Sequence, residues 1–418
     1  MDHTITRRGF VAAGGLTAAA YLRTRGASDR LRIVIVGCGA RGTFLLKDCL
    51  YFQKEANIEV AGICDLWTRN QDRGAKLVQD AGGREPAKYR HMSEVLERPD
   101  VDGVIIATPD FAHSRMLVEA VNAGKDVYCE KPMGNSLEEV QEAYRTVKNS
   151  RQVVQIGTQD FSAGNYQAAR DFIRSGQLGK VSRVVLENHH NGPRWRGVPD
   201  VRLIRAEDTD WRAWLQGHAE RPFDPRLYFE FRLYREFCSG IPDQWMCHYV
   251  AGTAYIMDDP FPESVVASGG NFLYQDGRET SDTFHATFTY PKGFLVSYGT
   301  MFGNAAPTMI RYYGQNGMLE DVDGNYGVTG TGGGAARIQS RFKLRPVSPE
   351  HHLRNWFDCI RSRHTPRADV FTGYSHSVAA IMAAQSEVRG RKLYWDPVRE
   401  AISDTPPVKP APAAPSIT

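Results

Sequence analysis

The chain has 418 residues, of which 42% are hydrophobic and 24% are charged, and its formal net charge is +3. This length predicts two domains, and the hydrophobic fraction is large enough for a core in each. The near balance of charge, with no long basic block after residue 30, argues against a nucleic-acid partner. Seven cysteines at scattered spacings indicate neither a disulfide framework nor a zinc site.

The first 30 residues resemble an export signal. Thr6–Val11 reads T-R-R-G-F-V, which is similar to a twin-arginine motif. Val11–Leu22 follows as a weakly apolar, Ala- and Gly-rich stretch that is too short to cross a bilayer as a stable helix. The alternative is a pair of arginines on a surface helix. We expect export to the periplasm by the twin-arginine route, and we expect no stable membrane anchor.

A glycine-rich turn follows the first predicted strand. Leu31–Val36 is short, apolar and rich in β-branched residues, which is typical of a buried strand. Gly37, Gly39 and Gly42 come next, at the spacing G-x-G-x-x-G. In such a turn the first glycine lets the chain leave the strand, the second lets a pyrophosphate approach the backbone, and the third lets the next helix pack closely. Thr43–Tyr51 is predicted to be that helix, with its N-terminal amides directed at the phosphates. The alternative is a glycine turn that binds no ligand.

An acidic residue stands where a dinucleotide ribose is expected. Ile58–Ile63 is a second predicted strand, and Asp65 follows it, 23 residues beyond Gly42. A carboxylate at this position accepts hydrogen bonds from a ribose 2′-hydroxyl and repels a 2′-phosphate, so NAD is favoured over NADP. Arg69 lies one helical turn later and is the residue that would accommodate a 2′-phosphate.

Strands and helices alternate up to about residue 155. This pattern is typical of a doubly wound parallel sheet, in which ligand groups lie at the carboxyl ends of the strands. The further predicted strands are Val101–Ala107, Asp126–Cys129 and Val153–Gly157, and the predicted helices are Ser114–Ala123 and Ser136–Asn149.

The pattern changes after the predicted helix Tyr166–Ser175. Strands now follow one another without helices of crossover size, which predicts a second domain of α+β type with a mostly antiparallel sheet. They are Val181–Asn188, Ser264–Leu273, Thr283–Tyr290, Phe294–Gly299 and Met309–Gly314, and late helices are predicted at His351–Ser362 and Ser375–Gly390. The predicted division is a signal at 1–30, a Rossmann domain at 31–157, an α+β domain at 158–397 and a Pro/Ala-rich tail at 398–418.

A long insertion, Pro193–Gly240, is rich in Arg, Trp, Phe and Tyr. It is too long for a hairpin loop and is predicted to form a lobe beside the substrate. Aromatic rings stack on sugar faces while polar groups bind hydroxyls. The alternative is that these residues are core or subunit interface. The predicted sugar contacts are Trp195, Tyr228, Arg232 and Tyr234.

Two adjacent histidines, His189 and His190, precede this insertion. Neighbouring residues on a strand point to opposite faces, so at most one of them can face the site. We therefore predict no metal site and take His189 as a substrate contact.

Three motifs together resemble the glucose–fructose oxidoreductase / inositol dehydrogenase (Gfo/Idh/MocA) family. They are G-C-G-A-R-G at Gly37–Gly42, A-T-P-D-F-A-H at Ala107–His113 and C-E-K-P-M at Cys129–Met133, and the resemblance covers roughly residues 31–397. It implies an NAD(P)-binding Rossmann domain, a second sheet domain that often forms homo-oligomers, and hydride transfer at a sugar or cyclitol hydroxyl. The residues that it assigns to the cofactor are Gly37, Gly39, Ala40, Arg41, Gly42, Asp65, Thr108, Pro109, His113, Glu130 and Lys131.

The resemblance also implies a catalytic pair. Lys131 matches the family lysine that contacts the substrate hydroxyl and the nicotinamide ribose. His248 matches the histidine of the family's D-x-x-x-H element, but Gln244 stands at the aspartate position. We therefore expect His248 to bind a substrate hydroxyl or act as acid and base, and Gln244 to supply uncharged amide hydrogen bonds to the substrate. The alternative for His248 is a structural core histidine.

Three functions are compatible with these residues. The first is an exported, NAD-dependent oxidoreductase that acts on a sugar hydroxyl and keeps its nucleotide bound, because little free NAD exists outside the cytoplasm. The second is a glycosidase that oxidises a sugar transiently at C3, eliminates the aglycone, adds water and reduces the ring again. The third is a sugar-sensing or structural NAD-binding protein without activity.

Overall fold

A computed structural model describes residues 29–407 of the protein. The predicted export segment therefore lies outside the described residues, except for its last two positions, and so does most of the predicted tail. Among residues 29–407, no helix combines the length and apolar composition that a bilayer span needs. All seven cysteines are free and buried.

The first domain is a six-stranded parallel sheet in the order β3-β2-β1-β4-β5-β6, the order of dinucleotide-binding folds. Its strands are β1 (Leu31–Val36), β2 (Ile58–Cys64), β3 (Ala87–Tyr89), β4 (Gly103–Ile106), β5 (Asp126–Cys129) and β6 (Val154–Ile156). Its helices are α1 (Ala40–Phe52), α2 (Thr68–Asp80), α3 (Met92–Leu96), α4 (His113–Asn122) and α5 (Leu137–Lys148). The predicted Rossmann fold is confirmed. The short edge strand β3 was not predicted, since three residues carry too little periodicity.

The second domain is built on a ten-stranded sheet in the order β14-β13-β12-β11-β7-β10-β9-β8-β15-β16. Only β7 and β10 pair in parallel; every other pairing is antiparallel, as predicted. The strands are β7 (Val181–Glu187), β8 (Ser264–Gly270), β9 (Thr283–Tyr290), β10 (Phe294–Met301), β11 (Met309–Gly314), β12 (Met318–Val322), β13 (Asn325–Thr329), β14 (Phe342–Lys343), β15 (Leu393–Asp396) and β16 (Ala401–Ser403). The helices are α6 (Gly164–Arg174), α7 (Trp211–Trp214), α8 (Pro225–Glu230), α9 (Cys247–Met257), α10 (His352–Ser362) and α11 (Val370–Arg389).

The predicted assignment of residues 158–397 to the second domain differs from the structure in two respects. Strand β16 pairs with β15 and carries the sheet to Ser403, past the predicted boundary at residue 397. Helix α10 packs into the core of the first domain, where Leu353, Trp356 and Phe357 join residues of β1 and α1. The Rossmann domain is therefore completed by a helix that follows it by about 200 residues, a long-range contact that no local pattern reveals.

The insertion at residues 193–240, called the aromatic lobe below, has its own core. Rings of this lobe pack against Trp67 and Phe111 of the first domain. The Trp67 and Phe229 ring centroids are 5.4 Å apart, and those of Phe111 and Trp214 are 5.2 Å apart. The lobe is therefore fixed to the Rossmann domain, over the carboxyl ends of its strands.

Candidate active site

The glycine turn has the geometry that a dinucleotide needs. Gly37 has φ +85°, and a Cβ there would meet backbone atoms of Ala107 and Thr108 at 2.7–2.8 Å. A Cβ on Gly42 would lie 1.8 Å from the carbonyl oxygen of Gly37, so that glycine is needed for close packing. A Cβ on Gly39, by contrast, would meet no protein atom within 4 Å. The backbone at Gly39 is therefore open to the cleft, and α1 begins directly after it without a side-chain cap.

The Asp65 carboxylate closes this turn from the other side. Its Oδ2 accepts hydrogen bonds from the Cys38 amide (2.6 Å) and from Asn70 Nδ2 (3.1 Å), and its Oδ1 accepts one from the Trp67 amide (2.9 Å). Burial raises the pKa of this carboxyl, although these donors oppose the shift. Asp65 lines the cleft, as predicted, but it also holds the glycine turn in place, which the sequence did not indicate.

The nucleotide cleft has a volume of about 800 Å³ and runs across the carboxyl ends of β1, β2, β4 and β5. The predicted cofactor residues Gly37, Gly39, Ala40, Arg41, Asp65, Thr108, Pro109, His113, Glu130 and Lys131 all line it. Arg69, the predicted alternative partner for a 2′-phosphate, instead lies over the Trp67 ring, 5.7 Å from its centroid. The open turn, the uncapped helix and a carboxylate at the ribose position fit NAD.

Two of these residues have structural tasks as well. The His113 ring is buried, with Nδ1 2.7 Å from the Pro132 carbonyl oxygen and Nε2 2.9 Å from that of Thr108. It thus ties the loop after β4 to the loop after β5. Glu130 Oε1 accepts a hydrogen bond from Arg41 Nε at 2.7 Å, which joins the loop after β5 to α1. Both contacts fix the position of Lys131 between them.

Lys131 is held from the second domain. Its Nζ donates a hydrogen bond to the backbone oxygen of Gln244 at 2.8 Å. Gln244 lies in a π-helical turn, Pro242–Met246, directly before α9, and such turns often occur at functional sites. Its side-chain amide donates to Asp110 (2.8 Å) and accepts from Arg232 Nε (2.8 Å). Gln244 is therefore a positioning residue between the two domains.

A buried polar cluster lies beside Gln244. Asp110, Cys238 and Asp243 are each at least 97% buried, and their potential metal-ligand atoms lie within 4.8 Å of one another. The Cys238 thiol donates to Asp110, and the Ser239 amide donates to Asp243. Burial and the Asp110 charge raise the pKa of Asp243 to about 7. Partial protonation of Asp243 near neutral pH thus reduces the negative charge that is buried in the cluster.

His248, at the start of α9, is half-buried and lines two cavities. Burial lowers its pKa well below 6.5, and the positive charge of Lys131 lowers it further. The ring is therefore neutral at physiological pH. A neutral imidazole can accept a proton from a hydroxyl group.

The second cavity, called the sheet-side pocket below, has a volume of about 370 Å³. It lies between α6, α9 and one face of β7, β11 and β12. Its lining residues are Asp160, Asn165, Tyr166, Asn188, Trp245, His248, Tyr249, Thr308, Ile310 and Asp321. Most of them carry hydroxyl, amide or carboxylate groups, which suits a polyhydroxylated ligand.

None of residues 193–240 of the aromatic lobe lines this pocket, and the prediction that the lobe lies beside the substrate stays a prediction. The lobe covers the nucleotide cleft, which it lines with Val198, Asp200, Trp214, Gln216, Tyr228, Phe229, Phe231 and Arg232. The physical reason is the packing of its rings on Trp67 and Phe111, apolar surface that the cleft edge of the Rossmann domain presents.

The structure places the predicted sugar contacts outside the sheet-side pocket, and their binding to a sugar stays a prediction. Tyr228 lies close enough to Asp65 for that charge to raise the pKa of its phenol, in addition to burial. Tyr234 packs in the lobe core, and Trp195 packs behind Trp245, with ring centroids 6.0 Å apart. His189 contacts Glu187 at 3.5 Å. None of Tyr228, Arg232, Tyr234, Trp195 and His189 lines the sheet-side pocket.

Several pocket residues escaped the sequence analysis. Asp160, in the short turn after β6, and Asp321, near the end of β12, are far apart in the chain, and the packing of α6 on the sheet brings them together. Asn188 directly follows β7, and the pocket residue that the sequence analysis did assign to the site is His248.

Comparison with known proteins identifies the first domain. Residues 31–158 match the family profile described as "Oxidoreductase family, NAD-binding Rossmann fold" (Gfo/Idh/MocA). The dinucleotide-binding domain of this chain is therefore similar to the NAD-binding domain of Gfo/Idh/MocA oxidoreductases, as the resemblance implied.

Two curated relatives and one solved structure extend this comparison. Over 151 residues the chain is 39% identical to scyllo-inositol 2-dehydrogenase (NAD(+)) of Bacillus subtilis, a match that covers 36% of this chain and 42% of the relative. Over 160 residues it is 31% identical to a glycosyl hydrolase family 109 protein of Saccharopolyspora erythraea, covering 37% of this chain and 34% of the relative. The chain thus spans less than half the length of these relatives.

The second domain is related through its fold. The structure of aldose-aldose oxidoreductase from Caulobacter crescentus superposes with a TM-score of 0.67 at 17% identity, covering 87% of this chain and 99% of the other. At this identity the likeness concerns the fold alone, in both domains.

Proposed function

We propose that the protein is an NAD-dependent oxidoreductase that acts on a hydroxyl-bearing carbon of a sugar. The position of His248 carries this proposal, because its ring lines both the nucleotide cleft and the sheet-side pocket. A sugar hydroxyl in the pocket and a nicotinamide in the cleft would meet at this side chain. The inositol dehydrogenase relative supports the choice of substrate class.

The residues of the glycine turn and Asp65 would hold NAD, which would supply the acceptor for the hydride of the carbinol carbon. His248 accepts the hydroxyl proton, since burial and Lys131 keep its ring neutral. Lys131, held by the Gln244 carbonyl, places an ammonium near the oxygen that gains negative charge. When the reaction runs backward, His248 returns the proton and Lys131 stabilises the same oxygen.

We further propose that the nucleotide stays bound between turnovers. The aromatic lobe covers the cleft and is fixed to Trp67 and Phe111, so release requires these ring contacts to separate. A second substrate then restores the nucleotide to its starting oxidation state.

The test begins with protein purified without added nucleotide. Denaturation should release NAD, and the absorbance of the native protein should report stoichiometric reduction when a substrate sugar is added. Lys131→Met should keep the nucleotide and lose about 100-fold or more in reduction rate. Lys148→Met, an exposed lysine on α5, is the matched control and should behave as wild type. Protein that neither holds nor reduces NAD would contradict the proposal.

A second candidate is a glycosidase that acts by transient oxidation. It is supported by the glycosyl hydrolase family 109 relative and by Tyr249, a further proton-handling group in the sheet-side pocket. Such an enzyme would release the aglycone of a glycoside with no net change in bound NAD. An oxidoreductase would leave a keto sugar or lactone and a reduced nucleotide, so product analysis separates the two.

We propose that the protein is exported by the twin-arginine route to the periplasm, on the basis of the T-R-R-G-F-V segment at Thr6–Val11. Cell fractionation of the wild type and of a variant with Arg7→Lys and Arg8→Lys tests this. Retention of only the variant in the cytoplasm is the expected result; equal distribution would contradict it.

We also propose a homo-oligomer formed through the outer face of the second sheet. Val266 on β8 and Leu295 and Met301 on β10, the two strands that flank β9, are 37–48% exposed on that face, although they are apolar. Light scattering of the wild type and of Leu295→Glu should show an oligomer and a smaller species, respectively. A monomeric wild type would contradict the proposal.

A further inference from the structure

The charges around the sheet-side pocket are of one sign. Within the described part of the chain, residues 29–407, its lining contains two carboxylates, Asp160 and Asp321, and no lysine or arginine. The base that lines it, His248, is neutral because burial lowers its pKa. On the cleft side, Lys131 is bound to the Gln244 carbonyl and Arg41 is paired with Glu130. The charged groups nearest to a ligand in the pocket are therefore negative.

Asp160 has an unusual position for a carboxylate. It lies in the short turn Gln159–Ser162 after β6, and no group among residues 29–407 donates a hydrogen bond to its side chain or forms an ion pair with it. Burial raises its pKa, and no cation opposes that shift. The carboxylate oxygens of Asp160 are thus available to accept hydrogen bonds from a ligand.

Asp321 lines the same pocket as Asp160. Its Oδ1 accepts a hydrogen bond from the Gly324 amide at 2.8 Å, which holds the carboxylate in place at the end of β12. The charges of Asp160 and Asp321 both raise the pKa values of Tyr166 and Tyr249, after burial as the main cause. The two carboxylates therefore converge on one region, which the two phenols share.

We propose that Asp160 and Asp321 are specificity-determining residues, which make the pocket select uncharged sugars and amino sugars and reject uronates and sugar phosphates. Hydroxyl and ammonium groups donate hydrogen bonds to Asp160, whereas an anion would be placed beside two partly desolvated carboxylates. Trp245 supplies a ring for the apolar face of such a sugar. This inference rests on the proposed sugar oxidoreductase function and narrows its substrate class.

The test uses the full chain with its bound nucleotide and three probes of one stereochemistry: glucose, glucosamine and glucuronate, repeated for the galactose and mannose series. Binding is measured by thermal shift and titration calorimetry, and turnover by nicotinamide absorbance. In the series that binds, the uronate should bind at least about tenfold more weakly than the neutral sugar, and the amino sugar at least as tightly.

The variant Asp160→Asn keeps the size of the side chain and removes its charge. This variant should lose the preference for the amino sugar, and the ratio of its affinities for the neutral sugar and the uronate should fall by about tenfold. Asp321→Asn should act in the same direction. Asp171→Asn, an exposed carboxylate on α6, is the control and should leave the order of the three probes unchanged.

The outcomes separate the two proposals. A uronate that binds and is oxidised as well as its neutral sugar overturns the charge selection and leaves the oxidoreductase standing. Charge-ordered binding without nucleotide reduction supports the selection and overturns the oxidoreductase. Absence of binding by all probes overturns both, because the pocket would then not be a sugar site.

Discussion

Replacing Asp243 with asparagine should change how the stability of the protein depends on pH. The folded-state pKa of Asp243 is raised from 3.8 to about 7, first by burial and then by the Asp110 charge. Between these two values the native protein holds a proton that the unfolded chain has released. The stability that this proton confers is complete below about pH 4 and is lost as the pH rises through about 7.

The magnitude follows from the two pKa values. At about 1.4 kcal/mol per pH unit, the wild type loses up to about 4 kcal/mol through this group, of which about 3 kcal/mol falls between about pH 4.5 and about pH 8. The asparagine side chain of Asp243→Asn has no proton to lose, and its amide oxygen can still accept the hydrogen bond from the Ser239 amide. The variant should therefore gain stability over the wild type as the pH rises.

Urea unfolding of both proteins, followed by tryptophan fluorescence at several pH values, measures this difference. Other titrating groups are common to the two proteins and cancel in the comparison. Asp80→Asn, an exposed carboxylate with 58% of its side chain accessible, is the control and should keep the wild-type profile. Parallel curves for wild type and Asp243→Asn would refute the reasoning and would mean that another group, such as a bound cation, compensates the buried charge.

Three further predictions concern the cleft and the core. Gly39→Ala should fold normally and bind NAD poorly, because its Cβ would meet no described protein atom and would point into the cleft. Gly42→Ala should unfold at a lower temperature, because its Cβ would clash with the carbonyl oxygen of Gly37. Melting curves and NAD titrations compare the two variants. Phe229→Ala should release bound nucleotide about three- to tenfold faster than the wild type in a stopped-flow experiment, since it loses the ring contact with Trp67. Phe272→Ala removes an exposed ring and is the control, which should release nucleotide at the wild-type rate. Burial lowers the pKa of His352 to about 4. The wild type should therefore lose up to about 3 kcal/mol of stability as the pH falls from about 6.5 to about 4. His352→Gln should lose less stability over this pH range in the same unfolding assay.

The Rossmann half was predictable because its signals are local. The glycine spacing, the strand before it and the E-K-P segment each lie within a few residues, and the bounds of β1 and β5 were predicted without error. The resemblance then assigned cofactor residues that line the cleft, apart from Gly42, which serves helix packing.

The sugar side was less predictable because it depends on packing between distant segments. The aromatic lobe was expected to contact the sugar, since its composition suits both a sugar and a core. Nothing local indicates that Trp67 and Phe111 offer the apolar surface that holds it over the nucleotide. The π-helical turn at Pro242–Met246 also escaped, because the expected i to i+4 spacing of Gln244 and His248 assumes an α-helix.

Tyr249 offers a way to distinguish sugar oxidation from glycoside cleavage. Burial, aided by the charges of Asp160 and Asp321, raises the pKa of its phenol to about 12, so it is a proton donor and not a base at neutral pH. Oxidation of a hydroxyl needs one base, which neutral His248 supplies. Elimination of an aglycone needs in addition a base that removes the C2 proton and an acid that protonates the departing oxygen, and Tyr249 lines the same pocket as His248.

Tyr249→Phe should therefore lower glycoside cleavage by about 100-fold or more while leaving sugar-dependent reduction of NAD within a few-fold of wild type. Tyr255→Phe, on the same helix and outside the pocket, is the matched control. Equal losses of both activities would mean that Tyr249 positions the sugar and does not donate a proton. Cleavage that persists in Tyr249→Phe would remove Tyr249 as its acid, and the departing oxygen would then have to take its proton from another group in the pocket.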